Sequence, residues 1–252
     1  MYIFAAMKLL KTIYSIYCAV FFFSLFFVLF PFFVLFIQRD QWHFMGHYLN
    51  RLWAQTFFHC VFQPYKIDFR FKQNKNQAYV YCPNHTTYLD IPALAFAIPG
   101  HFLFVGKSSL GKVPMFGYMF RNLYISVDRT TKKGMYQTLE AAYEAIDKKR
   151  SIAIFPEGTI PKDDWPKMIP FKDGPFRIAI EKQIPIVPVT FPYNWIILPN
   201  NGGFLPNRHL MTIIIHEPIE TTGMTVDNVE ELKQRTFNII NTELKKYNKH
   251  IS

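Results

Sequence analysis

The hydrophobic positions of the chain fall into three regimes. From Ile13 to Ile37, 25 consecutive residues carry no charge and nine of them are Phe. As a helix rising 1.5 Å per residue they extend roughly 37 Å, longer than a bilayer core of about 30 Å. Pro31 is expected to kink this helix or turn it back. The run exceeds the roughly 7–15 apolar residues of a cleaved signal peptide and ends in no A-x-A-like site, so it reads as a retained anchor. Lys8 and Lys11 before it, and Arg39 and Arg51 after it, do not settle an orientation. From Gln41 to Phe62 the pattern becomes amphipathic. Met45, Leu49, Leu52 and the Thr56–Phe57 pair recur at helical spacing, with Trp42, Trp53, Phe58 and Phe62 adding aromatic bulk. Such a helix can lie among lipid headgroups, although the same pattern suits a core helix. Residues 1–62 are therefore expected to form an N-terminal two-helix membrane anchor.

After Pro64 short β-rich runs alternate with helical ones. Lys66–Phe71, Ala78–Cys82, His101–Val105, Tyr124–Val127, Ser151–Phe155, Ile186–Val189 and Met211–Ile215 read as strands. Ile91–Ile98, Thr131–Lys149, Pro175–Lys182 and Val226–Tyr247 read as helices. This alternation predicts an α/β domain over residues 63–252, with a largely parallel sheet flanked by helices. A chain starting near Pro64 is expected to fold by itself. Sites on such sheets lie past the carboxyl ends of the strands.

Composition narrows the partners. Of 252 residues, 50% are hydrophobic and 18% charged, which excludes a disordered chain or a coiled coil. Lys and Arg outnumber Asp and Glu by 28 to 18, a net charge of +10 that suits anionic partners. The 27 Phe residues tilt that choice from nucleic acid to lipid. Cys18, Cys60 and Cys82 are too few and too apolar in context for a disulfide framework. His43 and His47 are four apart, but no H-E-x-x-H glutamate accompanies them and no metal is assigned.

Two loops carry candidate chemistry. In Cys82-Pro83-Asn84-His85-Thr86-Thr87-Tyr88-Leu89-Asp90 a strand ends and a helix begins. With His85 on the turn and Asp90 at the helix start, the carboxylate can reach back to Nδ1 and leave Nε2 as a base. A capping Asp beside a polar loop histidine fits the spacing equally well. No G-x-S-x-G elbow accompanies them, and Cys82 ends an apolar strand. A base without a protein nucleophile implies that the substrate brings the attacking hydroxyl. The second loop is Phe155-Pro156-Glu157-Gly158-Thr159-Ile160, where Gly158 permits a sharp turn. Gly106-Lys107-Ser108-Ser109-Leu110-Gly111-Lys112-Val113 nearly spells a P-loop, but Val113 replaces the magnesium-binding hydroxyl.

N-H-x-x-x-x-D followed by F-P-E-G-T resembles the glycerolipid acyltransferases, the lysophosphatidic acid acyltransferases among them. Gly117 to Arg129 is similar to the family's second block, Phe171-Lys172-Asp173-Gly174 to the segment after E-G-T, and Pro185–Val189 to the fourth block. The similarity runs from Ala78 to Phe191. It implies a membrane-bound acyltransferase on the cytoplasmic face, most simply of a bacterial inner membrane. Lysophosphatidate is then acylated at its sn-2 hydroxyl by acyl-CoA or acyl carrier protein, both co-substrates, with no further cofactor. It also implies catalytic roles for His85 and Asp90, and substrate binding by Asn84, Arg129, Glu157, Gly158, Thr159 and Lys172. Two departures stand out: Ile160 occupies the place of a common Arg, and Thr87 that of a common Ser. Acylation of another lyso-lipid, a lyso-aminolipid or a lysophospholipid being remodelled, is the alternative.

Overall fold

The computed structural model describes residues 2–128, 131–161, 165–200 and 205–248. Seven strands form one sheet: β1 (Tyr65–Phe69), β2 (Val80–Pro83), β3 (Phe102–Lys107), β4 (Ile125–Val127), β5 (Ser151–Ile154), β6 (Ile186–Thr190) and β7 (Met211–Ile215). Their spatial order is β1-β7-β6-β2-β5-β3-β4. Every neighbouring pair is parallel except β6–β7. The expected largely parallel sheet is present, and β1 and β7 run against the other five strands.

Alternation along β2 explains how both faces are buried. Tyr79 and Tyr81 point to one face, Val80 and Cys82 to the other. The Val80 face packs with Ile152, Ile154 and Ile186 against α5 (Lys132–Asp147), α6 (Gly174–Glu181) and α8 (Val229–Tyr247). The Tyr81 face packs with Phe102, Phe104, Val187 and Val189 against α3 (Asp90–Ala97) and α4 (Phe116–Leu123), with α2 (His43–Cys60) and α1 (Tyr2–Ile37) alongside.

Both expected N-terminal helices are present. Pro31 lies inside α1, which continues to Ile37 and does not turn back. On α2, Trp53, Ala54, Phe57 and Phe58 are buried in the same core as the sheet, and Phe58 meets Phe96 of α3 at 5.8 Å. This helix is a core layer, and a chain starting near Pro64 would uncover it. α1 lies along the domain rather than projecting from it. Lys11 Nζ donates to Asn207 Oδ1 near one end, Phe26 packs on Trp53 at 4.9 Å and on Phe116 at 6.3 Å, and Gln38 Nε2 donates to the Tyr118 hydroxyl near the other. Its other side leaves Leu9, Ile13, Ile16, Val20, Phe23, Phe27 and Leu35 exposed at spacings of three, four or eight, one apolar stripe. The 30 residues Lys8–Ile37 are long and apolar enough to cross a membrane, yet their inner side is packed on protein along most of that length.

Candidate active site

The parallel strands deliver their loops to one edge of the sheet. Register fixes which loops meet: Pro83 pairs with Val189, Val105 with Ile154, and Lys107 with Val127. The loops after β2, β5, β6 and β3 therefore adjoin.

His85 leaves β2 and stacks on Phe155 at 3.9 Å, the residue that follows β5. Its Nδ1 lies 2.9 Å from Asp90 Oδ2. The same oxygen accepts the backbone N–H groups of Thr86 at 2.7 Å and Thr87 at 3.0 Å. Asp90 Oδ1 accepts from Asn194 Nδ2 at 2.8 Å. The carboxylate is fully buried, and hydrogen-bond donors rather than a cation hold its charge. An acceptor behind Nδ1 sets the tautomer that leaves Nε2 unprotonated. Nε2 has no partner among the described residues, and the imidazole keeps 12% of its surface in solvent. The two readings of the His85–Asp90 spacing thus resolve into one geometry: Asp90 binds the loop amides as a cap does and orients the imidazole as well.

Glu157 is 1% exposed. Its Oε1 accepts the His85 N–H at 2.7 Å and its Oε2 the Ile169 N–H at 3.0 Å. Burial pushes its carboxyl up to about 7 against the pull of those two N–H groups, and the nearby Asp90 charge adds to the rise. Asn84 is wholly buried. Its Oδ1 accepts the Phe191 N–H at 2.7 Å and its Nδ2 donates to the Phe191 carbonyl at 3.2 Å. Asn84 and Glu157, expected from the sequence to bind substrate, use their polar atoms to hold His85's loop to the β5 and β6 loops.

The remaining expected residues are at the rim. Gly158 adopts φ +76°, the left-handed turn that suits glycine, and donates to the Phe155 carbonyl at 3.0 Å. That turn leaves Thr159 exposed at its tip. Lys172 is exposed, and its backbone N–H bonds the Pro156 carbonyl at 2.8 Å, which keeps it beside the Glu157 turn. Arg129 lies outside the described residues. Cys82 is fully buried and its thiol is pushed up by desolvation, so it offers no thiolate.

Sequence reasoning missed two residues. Lys107 was absorbed into the near-P-loop; it ends β3, is exposed, and has no ion-pair partner among the described residues. The strand pairing of Val105 with Ile154 places it level with Pro156. No phosphate-cradling helix follows it. A 3₁₀ turn spans Ser108–Lys112, and a Cβ on Gly117 would sit 2.3 Å from the Gly111 carbonyl oxygen, so α4 closes down on that turn. Asn194 starts the short helix α7 (Asn194–Ile197), 104 positions from Asp90, and no motif announces it. Among the described residues, no three His, Cys, Asp or Glu side chains are placed to hold a metal.

An α/β sheet with an imidazole oriented by a carboxylate at its carboxyl edge places a general base where such folds carry their sites. A profile of the acyltransferase family matches residues 66–192, and the chain belongs to that family. It is 29% identical over 194 residues to a chloroplastic 1-acyl-sn-glycerol-3-phosphate acyltransferase of Brassica napus, covering 75% of this chain and 54% of that one. It is 31% identical over 195 residues to a 1-acyl-sn-glycerol-3-phosphate acyltransferase of Saccharomyces cerevisiae, covering 75% and 64%. The chain thus spans between about half and two thirds of the length of these relatives. Its fold matches the crystal structure of the 1-acyl-sn-glycerophosphate acyltransferase PlsC from Thermotoga maritima, with a TM-score of 0.78 at 20% identity, over 96% of this chain and 99% of that one.

Proposed function

We propose that the chain is a 1-acyl-sn-glycerol-3-phosphate O-acyltransferase, which moves an acyl group from a thioester to the sn-2 hydroxyl of lysophosphatidate and yields phosphatidate. The observation that carries this reading is the His85–Asp90 pair with Nε2 open at the sheet edge. The names of the two relatives support the acceptor.

His85 Nε2 takes the hydroxyl proton as the oxygen attacks the thioester carbonyl. Asp90 stabilises the imidazolium that forms. Collapse of the tetrahedral intermediate breaks the C–S bond, and the proton on Nε2 passes to the departing thiolate. A positioned base of this kind contributes about 10²- to 10⁴-fold in rate. The amides of His85, Thr86 and Thr87 are already engaged inward, so the oxyanion needs donors elsewhere. The exposed Thr159 beside the Glu157 turn is suited to that task.

Lys107 at the end of β3 and Lys172 beside the Glu157 turn are exposed cations without an ion-pair partner among the described residues, and with Arg129 they would hold the acceptor phosphate in place of the Arg that Ile160 replaces. The donor is acyl-CoA or acyl carrier protein, and the exposed stripe of α1 docks the enzyme in the bilayer interface on the cytoplasmic face, where both donors are found. Because Ile160 removes one cation from the site, a lyso-aminolipid acceptor is the second reading.

The test incubates the purified protein with radiolabelled acyl-CoA, and separately acyl carrier protein, and a panel of lyso-acceptors. Lysophosphatidate should give the highest kcat/KM. A preference of about tenfold or more for an acceptor without a phosphomonoester would replace this reading with the second.

A further inference from the structure

We propose that Asn194 is a positioning residue of the catalytic pair, acting on His85 through Asp90. The inference rests on the reading of His85 as the acyl-transfer base, and it lies beyond the residues matched by the family profile, which end at 192.

The two oxygens of Asp90 are used unequally. Oδ2 receives the imidazole N–H and two amides from its own loop. Oδ1 receives the Asn194 amide, the bond that ties it to another part of the chain. The three donors on Oδ2 narrow the carboxylate's last torsion, which is otherwise broad for an sp³–sp² bond, but all belong to the loop that carries His85. The Asn194 bond to Oδ1 narrows that torsion further and fixes it against a separate segment, which limits the tilt of the imidazole.

The segment that carries Asn194 is itself fixed. Asn84, next to His85, clamps the backbone of Phe191 through both ends of its amide. Three residues later the chain returns Asn194 to Asp90. The loop after β6 thus grips the β2 loop at its start and at its end, and His85 is held between the two grips.

Asn194 is fully buried, and its Oδ1 has no hydrogen-bond partner among the described residues. An ionised carboxylate only accepts, so Nδ2 must face Asp90 and the acceptor end is turned into a dry environment. A buried side chain that leaves one polar atom unmet is poorly suited to stability alone. Its orientation serves Asp90.

The test compares Asn194→Leu and Asn194→Asp with the wild type in the full-length protein. Asn194→Leu should lower kcat by roughly tenfold or more, with both KM values within about twofold of wild type. In Asn194→Asp a second carboxyl faces the first. Protonated, it donates its O–H to Asp90 and replaces the amide; ionised, it repels Asp90. The ratio of Asn194→Asp to wild-type kcat should therefore fall steadily as pH rises, whereas the Asn194→Leu ratio stays flat. Taking ratios at each pH cancels pH effects common to the variant and the wild type. A purely structural role predicts flat ratios for both. Asn194→Leu retaining more than half the wild-type kcat overturns the proposal, as does a pH-independent Asn194→Asp ratio. Should Asn194→Leu not fold, the Asn194→Asp ratio decides alone. A wild type inactive on every lyso-acceptor would defeat the acyltransferase reading instead. The downfield proton resonance of the His85 ring N–H, assigned by its loss in His85→Ala, then decides: it should shift or broaden in Asn194→Asp at high pH, and an unchanged resonance overturns the proposal.

Discussion

Two histidines of this protein sit at strand ends with hydrogen-bond partners on the ring, and only one is arranged as a base. His216 follows β7. Its Nε2 meets the buried hydroxyl of Thr190 at 2.8 Å and its Nδ1 lies 3.3 Å from the Arg70 guanidinium. Arg70 in turn forms a bidentate pair with Glu243 of α8 at 2.8 and 3.0 Å. Burial and the Arg70 charge push the His216 imidazole down to about 4, and both ring nitrogens are engaged. The cluster ties β1, β6, β7 and α8 together, the place where the sheet changes from parallel to antiparallel. His85 has one nitrogen engaged, a carboxylate in place of a guanidinium behind it, and an opening to solvent. A buried, hydrogen-bonded histidine is thus no sign of catalysis. A free nitrogen backed by an anion is.

The largest expected effect separates the pair most sharply. His85→Ala should lower kcat by about 10²- to 10⁴-fold with little change in melting temperature. His216→Gln should keep kcat within about threefold yet lose about 1–3 kcal/mol of stability through the broken network, several degrees in Tm. The reverse pattern in a paired assay and melt would exchange the two roles.

Glu157→Gln sharpens the comparison from the loop side, because it removes one of the two acceptors that hold the His85 amide and Ile169. The carboxyl of Glu157 is raised from about 4.5 to about 7 in the fold, so its contribution to stability is complete below about pH 4.5 and lost as pH rises through about 7. The Tm advantage of wild type over Glu157→Gln should shrink across that window and then level off. An advantage that grows with pH would mean the carboxylate is favoured in the fold. Smaller still, Lys107→Ala and Lys172→Ala should each raise the KM for lysophosphatidate about tenfold, near 1.4 kcal/mol, and leave the donor KM within about twofold. Their combined effect should fall short of the sum, since both contact one phosphate. Unchanged acceptor KM in both variants would remove the phosphate clamp.

Much of this was legible in the sequence, for physical reasons that can be named. Short β-rich, largely apolar runs located the seven strands, Met211–Ile215 to the residue, because both faces of the sheet are buried. His85 and Asp90 were legible because a loop between strand and helix concentrates the chemistry in six residues. The reversal of β7 was not, since pairing direction leaves no mark on side-chain periodicity. The short α4 and α7 carried too few turns to show a period. Asn194 was invisible because its partner is distant in sequence and its neighbours form no motif. The interior hydrogen bonds of Asn84 and Glu157 were not legible because a residue type in a loop does not tell which way its side chain faces. That one side of α2 packs into the sheet core was not legible for a related reason: an amphipathic stripe fits lipid and a sheet face equally. A chain starting at Pro64 should accordingly show no cooperative melt, and a sharp transition would restore the independence of residues 63–252.

The central claim is that His85 acts as a base on the acceptor hydroxyl and no acyl group rests on the protein. Thiol release from acyl-CoA, followed with and without lysophosphatidate, tests it most directly. The account predicts release by wild type only when the acceptor is present, and below about one hundredth of that rate in His85→Ala. A burst of thiol equal to the enzyme concentration in the absence of acceptor, or a His85→Ala enzyme retaining more than about a tenth of the wild-type rate, would contradict it.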